Sequence, residues 1–279
     1  MKKICILLLS TLLLCGCAEH PQYPTDQTES LSTLPTFVSE VTTADNTELP
    51  EILPTEPDPV FTVESGTHFE RYHDELTSDY LDYYLFVPEN ADFNMPLVVF
   101  LHGDGEVLNP KNLENYGPIK AARGIYGEKY PFIALFPCTR IYSWVDNPIP
   151  QTLMGLINSV SDSLKIDKNR IILTGHSRGS SGVWNLLSTY GDYFSAAVPI
   201  SCGPSTIIEY EKLAKVPIRA FVGTIGEYEI KYGKAMARTV NKLLELNADA
   251  ELIYLENQDH SNTSHAAFSK ETFEWILSQ

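Results

Sequence analysis

The stretch "GHSRGS" holds a serine, Ser177, between Gly175 and Gly179. A serine so placed is a candidate nucleophile, but a hydroxyl attacks a carbonyl only when a base removes its proton, a third group orients that base, and N–H donors receive the developing oxyanion. Seven histidines and several carboxylates are available as base and acid. The chemistry therefore depends on the elements that would bring a few of them to Ser177.

Those elements are legible from about residue 80 onward. "YLDYYLFVP", "PLVVFLHG", "FIALFPC", "RIILTGHS", "AAVPISCG", "IRAFVGT" and "ELIYLEN" are short apolar runs, several of them continuous, as in strands buried on both faces. Between them "QTLMGLINSVSDSL", "GSSGVWNLLSTYG", "KAMARTVNKLLELN" and "KETFEWILS" carry apolar residues at helical spacing. Such alternation predicts an α/β domain with a mainly parallel sheet and helices on both faces. Ser177 then sits where a strand turns abruptly into a helix, the nucleophile-elbow arrangement, with glycines where side chains would crowd the turn. This turn aims the backbone N–H of Arg178 at an oxyanion, and the loop of "PLVVFLHGDGE" supplies a second donor, the N–H of Asp104. His102, beside it, reads as structural.

"LHGDGE", "IDKNRIILTGHSRGSSGVW" and the terminal His…Trp spacing resemble the polyhydroxybutyrate-depolymerase, feruloyl-esterase and "predicted peptidase" branch of the α/β-hydrolase superfamily over residues 65–279. That resemblance implies a serine hydrolase of carboxylic esters, without metal or organic cofactor, with a serine peptidase on the same triad or a binding lipoprotein that kept the fold and lost the chemistry as alternatives. It places the base after the last strand, where His260 and His265 stand. In such enzymes the histidine opens that loop about fifteen residues before a tryptophan. His260 is fifteen before Trp275, which leaves His265 as a surface residue. Their acid ends strand 7 in a pattern like H-G-x-x-D, but this chain reads "FVGTIGEYE", with Gly226 in the aspartate slot. Glu227, adjacent, is taken as the acid, with Glu229 and Asp259 as alternatives. The resemblance also implies sheet order 4-3-5-6. Three spacings of about 4.8 Å then hold Cys138 and Cys202 roughly 14 Å apart, beyond the ~7 Å disulfide limit, as free buried thiols. "RIYSWVDNP" offers Tyr142 and Trp144 as aromatics near the mouth of the site.

The amino end differs in kind. "MKKICILLLSTLLLCGC" has two lysines, an apolar run too short to span a bilayer, and a close likeness to the lipobox of bacterial lipoproteins. It predicts export and lipidation at Cys17, the end of a signal covering residues 1–17. Residues 18–59 are rich in Thr, Ser, Pro and Glu, with nine acidic residues and no Lys or Arg, and read as a solvated tether to a catalytic domain at 60–279. Setting aside the signal lysines and tether acids leaves −9 of the formal −16 on that domain. An acidic surface without a basic cluster argues against nucleic acid as a partner. The expected partners are a small-molecule or polysaccharide ester and, through the anchor, a membrane.

Overall fold

The computed structural model describes residues 63–104, 110–139 and 143–279. The signal, Cys17, the tether and Tyr142 lie outside them. Eight strands among the described residues form one sheet: β1 (Gly66–Asp74), β2 (Asp79–Val87), β3 (Leu97–Leu101), β4 (Ile133–Cys138), β5 (Ile171–His176), β6 (Ala196–Ile200), β7 (Ile218–Gly223) and β8 (Ala250–Leu255). Their spatial order is β1-β2-β4-β3-β5-β6-β7-β8. β1 and β2 pair antiparallel, β2 runs antiparallel to β4, and every later pairing is parallel.

The apolar runs explain the layering. In β3 every residue is buried, with Leu97, Val99 and Leu101 in one core and Val98 and Phe100 in the other. A strand clothed on both faces must be apolar throughout, because successive side chains alternate sides. The first core is closed by α2 (Ile149–Leu164), α3 (Arg178–Tyr190) and α5 (Glu227–Glu245), through residues such as Leu153, Trp184 and Met236. The second is closed by α1 (Gly117–Tyr126) and α7 (Lys270–Leu277), through Ile119 and Phe273. Two short helices, α4 (Tyr210–Leu213) and α6 (His260–Ala266), complete the α-helices of the described chain.

All seven strands expected from apolar runs are present, in the expected 4-3-5-6 central order. β1 was not legible: "GTHFERYHD" is exposed along most of its length and is defined by its register with β2 rather than by burial. Cys138 and Cys202 are free and partly buried, and burial raises their thiols to about 12 and about 11.

Candidate active site

In an open parallel sheet the loops leaving the carboxyl ends of the strands converge on one edge. Here the loops after β3, β5 and β6 carry Asp104, Ser177 and Ser201 to that edge, and the first turns of α5 and α6, after β7 and β8, carry Glu229 and His260.

Ser177 stands between β5 and α3 with φ 55° and ψ −120°, a conformation that a side chain tolerates poorly. The surroundings hold it there. Its N–H donates to the Ile200 carbonyl of β6 at 2.9 Å. A methyl group on Gly179 would run into the Leu101 carbonyl, and one on Gly175 would lie 2.6 Å from the Gly179 carbonyl oxygen. The strand-to-helix turn is therefore possible only with glycine on either side of the serine.

His260 is the first residue of α6. Its Nε2 lies 2.9 Å from Ser177 Oγ, and its Nδ1 lies 2.6 Å from Glu229 Oε1. With Nδ1 donating to the carboxylate, Nε2 is left to accept the serine proton. The imidazole is fixed from its main chain too, since His176 Nε2 donates to the His260 carbonyl at 2.9 Å. His176 itself is buried, which lowers it to about 3 and keeps its ring neutral.

Glu229 is the residue on His260, and this corrects the sequence assignment of Glu227. Gly226 caps α5 with φ 97°, a backbone that an aspartate in that slot could hold only under strain, and the helix begins at Glu227. Residues two apart on a helix point about 200° apart, so Glu227 faces solvent while Glu229 faces the protein. Its carboxylate also accepts from Gly223 N–H at 2.5 Å and from Ser201 Oγ at 2.8 Å. Burial alone would raise its pKa, but the hydrogen bonds from His260, Gly223 and Ser201 outweigh that and lower it. A detectable signal existed: Glu229 is in phase with Gly233, Met236, Val240 and Leu243, the buried stripe of α5, and Glu227 is not. Asp259 is the N-cap of α6, accepting from Ser261 and Asn262 N–H, and His265 lies one and a half turns along that helix, away from Ser177.

Arg178 opens α3 directly after Ser177, and its guanidinium meets the Asp104 carboxylate at 2.6 Å, tying the elbow to the loop after β3. The start of that loop is held by His102, which donates from Nδ1 to the Gly103 carbonyl and accepts at Nε2 from Thr139 N–H, in line with a structural role. Trp144 is fully buried and donates to the His102 carbonyl at 2.9 Å, so it braces the loop from behind the smaller recess. Two recesses meet at Ser177, of about 320 and about 290 Å³. Tyr116, Tyr228 and Tyr232 line the larger, and sequence reasoning had overlooked all three.

No family model matches the chain, and no curated protein does either. Solved structures do. A thermostable esterase superposes with a TM-score of 0.62 at 25% identity, over 76% of this chain. The fold is that of the α/β-hydrolases. The chain spans 63% of the length of that esterase. The fluorophosphonate-binding serine hydrolase F of Staphylococcus aureus, in a substrate-bound structure, matches with a TM-score of 0.59 at 14% identity, over 77% of this chain and 99% of that one. A feruloyl esterase module from Clostridium thermocellum, complexed with sinapinate, matches with a TM-score of 0.58 at 13% identity, over 76% of this chain and 87% of that one.

Proposed function

We propose that this protein is a serine hydrolase that cleaves carboxylic esters through an acyl-enzyme. The observation that carries the reading is the unbroken hydrogen-bond chain Ser177 Oγ, His260 Nε2, His260 Nδ1, Glu229 Oε1, mounted at an α/β-hydrolase elbow. His260 takes the serine proton as Oγ bonds to the ester carbon. The tetrahedral oxyanion is received by the N–H groups of Arg178 and Asp104. Collapse breaks the bond to the alcohol oxygen, which leaves with the proton from Nε2. Water then repeats the sequence on the acyl-enzyme, releasing the acid and restoring Ser177. Glu229 stays ionised throughout, which keeps Nδ1 protonated and stabilises the transient imidazolium.

The substrate class we favour is an acyl group, acetyl or feruloyl, on a polysaccharide. An exported enzyme anchored at Cys17 on the outer face of the cell membrane, with an acidic tether over residues 18–59, would meet such polymers outside the cell. A fluorophosphonate should label the protein once, at Ser177, and Ser177→Ala should abolish labelling and ester hydrolysis together. Labelling that survives this substitution rejects the nucleophile. For the anchor, Cys17→Ala should release the full-length protein from membranes, and membrane retention of that variant rejects it.

A further inference from the structure

The two recesses differ in their walls, and His260 lines only the larger one. An alcohol leaving the tetrahedral intermediate takes its proton from His260 Nε2, so its oxygen must lie within hydrogen-bond reach of that nitrogen. The larger recess, the one of the two that Tyr228 and His260 line, is therefore where the alcohol sits. The smaller one, with Arg178, Ser181 and Ser205 on its wall and Tyr232 and Asp104 shared between the two, is left for the acyl group. Tyr228 and Tyr232 stand one turn apart on α5, their rings stacked with centroids 6.0 Å apart and planes 20° from parallel. They flank the imidazole of His260, with centroids 5.8 and 5.6 Å from it. Tyr228 is 64% exposed, so a large ring face remains open beside the leaving-group position. Asp104 presents a largely exposed carboxylate across the same recess.

We propose that this tyrosine pair is the alcohol subsite and that it takes the ring of a sugar. This rests on the esterase reading above. An alkyl chain gains chiefly by complete removal from water, which an open wall does not provide. A pyranose has an apolar C–H face to lay on tyrosine and a hydroxylated edge that stays in water or donates to the Asp104 carboxylate, so a half-open aromatic wall suits it. The acidic domain surface disfavours an anionic alcohol at the same place.

The test uses two esters with the same acyl group, a monoacetylated methyl xyloside and ethyl acetate, on the purified full-length protein. Loss of one aromatic contact should lower the kcat/KM ratio of sugar acetate to ethyl acetate about fivefold in Tyr228→Ala, chiefly through KM, and Tyr228→Phe should restore most of it. A ratio unmoved by Tyr228→Ala overturns the subsite, as does an equal fall of kcat on both acetates, which would make the ring a positioning group for His260. Wild-type protein that hydrolyses neither acetate also overturns it. Fluorophosphonate labelling of the wild type separates the two levels: a protein labelled at Ser177 keeps its place as a serine hydrolase when the subsite fails, whereas an unlabelled one loses both.

Discussion

The acid illustrates how much of this site depends on single side chains. Glu227 and Glu229 have the same chemistry and lie two residues apart, yet only Glu229 is buried against His260, with three donors on its carboxylate. Replacing it with Gln keeps the shape but offers Nδ1 no negative charge and invites the wrong tautomer. Glu229→Gln should therefore lower kcat on an activated ester by at least about 10²-fold, while Glu227→Gln stays within about twofold of wild type. Steady-state kinetics on the two variants decides this, and the reverse ranking would return the role to Glu227. Ser201 and Thr263 extend the same network, their hydroxyls 2.8 Å apart beneath the carboxylate.

Among the elements, the packing of α3 against β3 sets the height and angle of Ser177. The contact is so close that Gly179 has the Leu101 carbonyl where a side chain would begin. Gly179→Ala must push helix and strand apart, and overpacking of this kind should cost at least about 2 kcal/mol as well as the activity. Gly124, within α1, has open space at the same position and serves as the control. Gly124→Ala should be neutral or stabilising by up to about 1 kcal/mol, since alanine is the better helix former. Urea denaturation of both variants measures the difference, and equal stabilities would mean that α3 and β3 are not in tight contact. Trp184 and Ser180 add a second tie, both donating to the Cys202 carbonyl and thereby pinning the loop after β6 to α3.

For the molecule as a whole, two buried histidines make stability depend on pH. Burial lowers His102 to about 4 and His176 to about 3, against 6.5 for an exposed imidazole. Below about 6.5 the unfolded chain takes up protons that these folded rings refuse. Their contribution is therefore fully present above that pH and is lost as the pH falls towards 4, at up to about 1.4 kcal/mol per pH unit for each histidine. The urea midpoint should thus drop clearly between pH 7 and pH 5, and His102→Gln, though less stable at pH 7, should show a shallower drop. A midpoint indifferent to pH over this range would mean that the two rings accept protons in the fold. Glu229, lowered relative to a free carboxyl, acts further into acid, its contribution being lost only as the pH falls below the ordinary carboxylate range.

The sequence by itself determined the α/β alternation, the central strand order reached through the family resemblance, and the strand, serine and helix junction at Ser177. These follow from periodicity and from turn chemistry, which act over a few residues and so leave local traces. It narrowed the base to two histidines and the acid to three carboxylates. Only the tertiary structure brought His260 and Glu229, thirty-one residues apart in the chain, within 2.6 Å, because that meeting depends on where the ends of β7 and β8 lie and on the angle at which α5 starts. The same holds for β1, whose exposed residues become a strand only beside β2, and for the Tyr228 and Tyr232 wall. Helical spacing alone cannot say that it faces Ser177, since what it faces is contributed by β5 and by the loop after β3.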